Sequence, residues 1–275
     1  MLPASIQWYY PTRVKEAVAL IRKKGIILHG GGTKILEPQP RGSIKGLVDI
    51  GGLRLDYIRM TGETVHIGAG ATFDEVTRFS RAKKKISMCG ESLAHAASTP
   101  LRNRITIGGS LCDFPLWSNL YAPLLALDAH IEIVGERPGV YPLEKYASTS
   151  LIKSKHLIKE VRVTQKKSLL CGSRAFHVIR FEYPIFNIAA AFAMKGRVVV
   201  DARLFITGVK KKFTRLVAAE KVFRGNPLTP ETIDDASSLV DVTFVPDYRF
   251  SAAYKARVAR IYFNDLLNDI RQNRA

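Results

Sequence analysis

The sequence predicts an α+β protein: two small α/β subdomains, then a C-terminal α+β lobe of three antiparallel strands followed by helices. Three observations predict it. Helix and strand patterns alternate over residues 13–50 around a glycine loop, Leu28 to Ile35. A second loop, Thr106-Ile107-Gly108-Gly109-Ser110-Leu111, precedes an apolar helical run from Leu120 to Asp128. Beyond a polar junction at Gln165-Lys166-Lys167-Ser168, strand patterns come first and helices last. The expected parts are residues 1–54, 55–165 and 166–275.

The elements follow in order. Thr12 is placed to cap a helix from Arg13 to Lys24, with Val14, Ala17, Val18 and Ile21 on one face. Gly25 ends it, Ile26-Ile27-Leu28 reads as a buried strand, and Glu37 to Gly42 as a rigid surface connection before a strand over Gly46 to Ile50. Tyr57 to Met60 and Val65 to Ile67 flank Gly62-Glu63 as a hairpin. Thr72-Phe73-Asp74-Glu75 is a capping box for a helix reaching Lys84, which makes Asp74 and Glu75 a helix start rather than a catalytic pair. A short helix over Glu91 to Ala97, strands at Ile131 to Val134 and Leu157 to Val163, and a helical turn at Leu143 to Ala147 complete the second part. The last lobe reads as strands Ser173–Phe181, Asn187–Met194 and Val198–Ile206, then helices from Thr214 to Phe223, from the Thr229 cap with Pro230, and from Ser251 to Asn268.

Composition narrows the function. The 275 residues are 47% hydrophobic and 24% charged, enough for two or three modest cores. The formal charge is +18, from 42 Lys and Arg against 24 Asp and Glu, spread along the chain. Such an excess fits nucleic acid, an anionic ligand or an acidic protein partner, and no nucleic-acid module is present by motif. The three cysteines, Cys89, Cys112 and Cys171, form no CxxC, so this chain alone builds neither a zinc site nor an iron–sulfur cluster from thiols. The N-terminus lacks a secretory pattern, and the longest apolar run, Ile185 to Met194, falls short of the ~20 residues of a membrane span. A soluble, cytoplasmic protein without a membrane span is expected.

Neither glycine loop is a mononucleotide signature. Lys34 follows a threonine and precedes Ile35, unlike a Walker A end, and Gly30-Gly31-Gly32 does not continue as GxGxxG. A lone glycine run reads most simply as a tight turn. Two, each beside a threonine and an apolar element, suit a diphosphate gripped by backbone N–H groups and by the hydroxyls of Thr33, Thr106 and Ser110.

Leu28 to Leu36 resembles the glycine loop of flavin subunits in the molybdenum hydroxylases, the xanthine, aldehyde and carbon monoxide dehydrogenases. Leu101-Arg102-Asn103-Arg104-Ile105-Thr106-Ile107-Gly108-Gly109-Ser110-Leu111 resembles that family's R-N-x-x-T-I-G-G-N-L, and Leu124 to Ala129 its L-L-A-L-D-A. Phe181-Glu182-Tyr183-Pro184 and Arg224-Gly225-Asn226-Pro227-Leu228-Thr229 resemble its C-terminal domain. The resemblance implies a vanillyl-alcohol-oxidase (PCMH)-type FAD-binding fold and an electron-transfer role in a heterotrimer, itself expected as a dimer of heterotrimers. FAD would be held by this chain, the molybdenum cofactor by a large partner subunit, and [2Fe-2S] clusters by a small one. Electrons would pass from those clusters to an external acceptor.

Carried over by residue, Leu28, His29, Gly30, Gly31, Gly32, Thr33, Lys34 and Ile35 form the first diphosphate loop, and Thr106, Ile107, Gly108, Gly109 and Ser110 the second. Ala96 is expected at the cofactor, Asn119 near the adenosine or the polar edge of the flavin, and Leu157 and His177 near the flavin. The sequence departs from the family at Ser110, at Asp113 to Leu116 and at Asn119, and has His177 where relatives often place a lysine. His177 could equally sit on a sheet face. Trp117 and Tyr121 read as core or as a stacking pair, His66 and His95 as structural or surface residues without a carboxylate or cysteine partner, and Lys210-Lys211-Lys212 as a solvated turn or an acidic partner's surface. The rival functions are a cofactor-free basic scaffold or nucleic-acid binder on the same fold, and a single-chain flavin oxidase.

Overall fold

Three sheets organise the computed structural model, which describes residues 6–35, 44–84, 86–112, 115, 118–165, 169–179 and 181–272. In chain order, the first elements are β1 (Gln7–Tyr9), α1 (Val14–Ile21), β2 (Ile26–His29), β3 (Gly46–Asp49), β4 (Ile58–Thr61), β5 (Thr64–Gly68) and α2 (Phe73–Lys83). Next come α3 (Ser87–Ala94), α4 (Thr99–Arg102), α5 (Ile107–Cys112), α6 (Tyr121–Ala126), β6 (His130–Gly135), β7 (Gly139–Pro142), α7 (Leu143–Ser148) and β8 (His156–Thr164). The last are β9 (Leu169–Phe176), β10 (Phe186–Lys195), β11 (Val198–Val209), β12 (Lys212–Arg215), α8 (Val217–Phe223), α9 (Pro230–Ser238) and α10 (Ala252–Gln272).

The chain divides into two compact units. One comprises Met1–Lys85, Ser98–Asp113 and Ala129–Val163, and the other Ile86–Ala97, Phe114–Asp128 and Thr164–Ala275. In the first, a parallel sheet of order β1-β3-β2 carries α1, whose Ala17, Val18 and Ile21 bury against Val48, Leu53, Leu55 and Leu157. That stripe is the helical spacing read from the sequence. The helix starts differently. Arg13 is the N-cap and makes no side-chain cap, while the Thr12 amide donates to Glu16 Oε2 at 3.3 Å. The helix also stops at Ile21, before the polar Arg22-Lys23-Lys24, which carry nothing to bury.

The same unit holds a five-stranded sheet of order β4-β5-β8-β6-β7. The β4–β5 hairpin turns at Gly62, whose φ of 57° favours glycine. The Thr72 capping box forms as expected, and Asp74 pairs with Arg78 one turn on at 2.9 Å. His66 does have a carboxylate partner. Its Nδ1 meets Glu160 Oε1 at 2.9 Å, across 94 residues of sequence, because β5 and β8 are neighbours. Glu160 is 2% exposed and also accepts from Tyr57 Oη at 2.5 Å and Arg162 Nε at 2.6 Å. Burial alone would raise its pKa. The hydrogen bonds from Tyr57, His66 and Arg162 override that and hold it at about 2, while burial and the Glu160 hydrogen bond push Tyr57 up to about 12.

In the second unit the sheet runs β12-β11-β10-β9, so three expected strands become four. Thr214, read as a helix start, lies in β12. Phe213 and Thr214 suit a strand, and Thr214 pairs with Ile206 once the chain turns at Lys210 and Lys211. Strand β9 begins at Leu169 and ends at Phe176, and α3 lies over Ser87–Ala94 rather than Glu91 to Ala97.

Strand β10 is buried on both faces. Phe186, Ile188, Ala190 and Phe192 join the core made with α8, α9 and α10, where Phe192 meets Phe223 edge-on at 5.1 Å. Helix α10 contributes Ala259, Phe263, Leu266, Leu267 and Ile270 at helical spacing. On the opposite face Asn187 reaches Ser92 Oγ at 3.2 Å and the Ser118 carbonyl at 3.4 Å. Arg203 of β11 donates to the Leu125 carbonyl and pairs with Asp128, which caps the end of α6. The connection at Glu37 to Gly42, the junction at Lys166 to Ser168, and Trp117 lie outside the described residues. Among the described residues no helix is long and apolar enough to cross a membrane.

Candidate functional site

The first glycine loop is set by β2 and β3. The chain leaves β2 at His29, whose carbonyl accepts from the Ile50 amide at 3.0 Å. His29 Nδ1 meets Asp49 Oδ2 at 3.1 Å, Asp49 Oδ1 accepts from the Gly51 amide at 2.7 Å, and Trp8 packs edge-on to the imidazole at 4.9 Å. The loop root is therefore braced from β1 and β3. Gly32 has a φ of 74°, which L side chains adopt with strain. Among the described residues, the amides of Gly30, Gly31 and Gly32 have no hydrogen-bond partner. Each is a donor left over by the sheet ladder, and successive free amides of this kind can cradle an anion.

The second loop is built otherwise. Its glycines lie in the first turn of α5 rather than in an open turn. Thr106 forms an isolated bridge with Thr72. The Ile107 and Gly108 amides donate to the Ala71 and Ala69 carbonyls, each at 2.8 Å. The Gly109 amide goes to Thr106 Oγ1 at 3.2 Å and the Ser110 amide to the Thr106 carbonyl at 3.0 Å. The amides expected to be bare are thus occupied. Gly108 has a packing reason instead: a Cβ there would lie 2.6 Å from Ala69 Cβ and 2.9 Å from the Ala69 carbonyl oxygen.

The two loops meet within one unit. A Cβ on Gly31 would fall 1.4 Å from the Arg104 carbonyl oxygen, and one on Gly30 would lie 3.0 Å from Thr106 Oγ1. Arg104 Nε donates to the Gly31 carbonyl at 3.0 Å. Beside this junction opens a cleft of about 250 Å³, lined by Gly30, Gly31, Asp49, Ile50, Gly51, Leu55, Asp56, Gly70, Thr72, Asn103, Arg104 and Thr106. Three expected site residues, Gly30, Gly31 and Thr106, line it. Asp49, Asp56, Thr72 and Arg104 were not anticipated. Asn103 and Arg104 stand in the quoted second motif, so a signal for them existed; Asp56 and Gly70 carried none.

The remaining expected residues are placed as follows. Leu28 packs, partly buried, against the α1 core, Leu157 belongs to that core at 1% exposure, and Thr33, Lys34 and Ile35 form the turn after the glycines. Ile107 and Gly108 are buried, Ser110 is half-buried and Gly109 exposed. In the second unit Ala96 is buried, and Asn119 is committed to α3: its Nδ2 donates to the Ser92 carbonyl at 3.0 Å while its carbonyl accepts from Ser92 Oγ at 2.7 Å. His177 follows β9. Its Nδ1 lies 3.0 Å from the Glu182 carbonyl, so that nitrogen carries the proton, and Nε2 is left as a buried acceptor without a partner. Burial, and secondarily the nearby His95, lowers the His177 pKa against the opposing Glu182 hydrogen bond.

Amides without a partner among the described residues, a threonine hydroxyl and a guanidinium, around a Gly31 that excludes a Cβ, suit a diphosphate close to the main chain. The comparisons with known proteins agree with that chemistry. Structurally, the chain resembles carbon monoxide dehydrogenase from Hydrogenophaga pseudoflava with a TM-score of 0.87 at 24% identity, covering 98% of each chain. It resembles quinoline 2-oxidoreductase from Pseudomonas putida 86 with a TM-score of 0.89 at 18% identity, covering 99% of each. These likenesses establish the α+β, PCMH-type fold. Among curated relatives, the 6-hydroxypseudooxynicotine dehydrogenase complex subunit alpha of Paenarthrobacter nicotinovorans is 29% identical, over 94% of this chain and 92% of that one. The glyceraldehyde dehydrogenase medium chain of Sulfolobus acidocaldarius is 25% identical, over 78% and 79%. Residues 178–270 match the CO dehydrogenase flavoprotein C-terminal domain. Residues 4–165 match the FAD binding domain in molybdopterin dehydrogenase, and the chain belongs to that family of flavin-binding proteins.

Proposed function

We propose that this chain is the FAD-binding electron-transfer subunit of a heterotrimeric molybdenum hydroxylase. In this reading a large partner subunit holds the molybdenum cofactor and oxidises substrate, and a small one holds [2Fe-2S] clusters. The names of the relatives, a dehydrogenase medium chain and a complex subunit alpha, support assembly with other chains. When bound, the isoalloxazine supplies the redox chemistry, taking electrons from the partner's clusters and giving them to an external acceptor.

The chain's own residues bind and orient. The observation that carries the reading is that the Gly30 and Gly31 amides, which with that of Gly32 have no hydrogen-bond partner among the described residues, lie beside Thr106 in the cleft. They would hold the diphosphate, with Leu28, His29 and Thr33 to Ile35 shaping the first loop and Ile107 to Ser110 buttressing the second. The division at residues 54 and 165 belongs to the same reading, each of the first two parts supplying one loop. Leu157 and His177 are assigned to the flavin end, Asn119 to the adenosine or the polar edge of the flavin, and Ala96 to the cofactor. Of these, His177 Nε2 is the atom still needing a donor.

The test is a spectrum of the purified protein. Flavin absorption, with about one FAD released per chain on denaturation, is expected. A colourless protein that takes up no FAD and binds duplex DNA with steep salt dependence would replace this reading with a nucleic-acid one.

A further inference from the structure

The second loop poses a problem. Its amides at Ile107, Gly108, Gly109 and Ser110 are all spent within the protein, which leaves its backbone little to offer an anion beyond the Thr106 amide. What lines the cleft on this side are Thr106 and, two residues before it, Arg104.

Arg104 is held in a particular way. Its Nε is fixed on the Gly31 carbonyl at 3.0 Å, and Nη2 would lie 3.6 Å from a Cβ on Gly32. One edge of the guanidinium therefore ties the two loops together, on the loop whose amides are free. Among the described residues no carboxylate forms an ion pair with it. Asp49 also lines the cleft, but its oxygens are taken by His29 and the Gly51 amide. Asp56 is the other acidic group there. A guanidinium that spends one donor on the fold keeps its terminal nitrogens for a second, charged partner.

We propose that Arg104 is the fixed positive charge of the diphosphate cradle, so that the first loop contributes amides and the second contributes charge. The proposal rests on the FAD reading above and deepens it. Arg104 also acts as a positioning residue, because its bond to the Gly31 carbonyl sets where the free amides stand.

The test uses the deflavinated full-length chain, with binding of FAD, ADP and adenosine measured by titration at several salt concentrations. Charge-assisted contacts predict that Arg104→Ala weakens FAD and ADP roughly 10- to 100-fold. Adenosine, which lacks the diphosphate, should be unaffected. Arg104→Lys should keep most of the ADP affinity. Arg104→Gln retains a donor for Gly31 without the charge, so it should melt like the wild type yet bind ADP weakly and with little salt dependence. Equal ADP affinity and equal salt dependence in wild type and Arg104→Gln would overturn the proposal. So would a wild-type ADP affinity indifferent to salt, even if the variants fail to fold. A wild type that binds neither FAD nor ADP overturns the cofactor reading itself, which distinguishes the two failures.

Discussion

At the scale of single residues, glycines in the two loops do different work. Gly31 lets the first loop approach the Arg104 backbone, and a methyl there would overlap a carbonyl oxygen at 1.4 Å. That oxygen belongs to the main chain and cannot rotate away, so the loops must part. Gly31→Ala is therefore expected to lose FAD altogether, read as the ratio of flavin to protein absorbance. Gly108 packs α5 on Ala69. Gly108→Ala should cost about 1–3 kcal/mol through overpacking, seen as a lower unfolding midpoint, with FAD lost only as far as α5 shifts. If Gly108→Ala strips FAD without lowering the midpoint, the packing account of that glycine is wrong.

At the scale of elements, Glu160 fastens β8 to β4 and β5. Removing its charge strands His66 and Arg162 beside a neutral amide. Glu160→Gln should destabilise the protein by on the order of 3 kcal/mol at pH 7. The sign of the pH dependence follows from the depressed pKa. Glu160 binds its proton more weakly folded than unfolded, so its contribution is complete above pH 4.5 and is lost as pH falls from 4.5 towards about 2. Denaturant melts across that window should converge for wild type and Glu160→Gln at the acid end. Parallel curves would rule out the charge as the source. Thr72 adds a second element-scale case, because it caps α2 and lines the cleft. Thr72→Ala is expected to cost about 1 kcal/mol in stability by loss of the cap, measured by thermal melting.

At the scale of the whole molecule, neither unit is continuous in sequence. Helices α3 and α6 belong with the sheet of β9 to β12, although both precede it by tens of residues. One face of that sheet carries Asn187 and Phe205, each fully buried. A fragment of residues 166–275 lacks α3 and α6, so it would expose those groups. It should elute as an aggregate and lack near-ultraviolet circular dichroism, whereas the full chain elutes as a discrete species. A monodisperse, well-packed fragment would contradict this account of the core.

Much of the fold is legible in the sequence because its signals are local. The stripe of Ala17, Val18 and Ile21, the Thr72 and Thr229 capping boxes and the hairpin at Gly62 each depend on residues a few positions apart. The edge strand β12 is not legible in the sequence because four residues are too short for a period. The glycine run at Gly30 to Gly32 likewise marks a close backbone approach, since a Cβ on Gly31 would meet the Arg104 carbonyl oxygen. What only the tertiary structure decided is which groups are left free to act. The carbonyls of Ala69 and Ala71 take two of the second loop's amides, Arg104 reaches Gly31 across 73 residues, and Glu160 finds His66 across 94. Such partners come from elements brought together by strand order and packing, and hydrophobic periodicity records which face is buried without recording what lies against it.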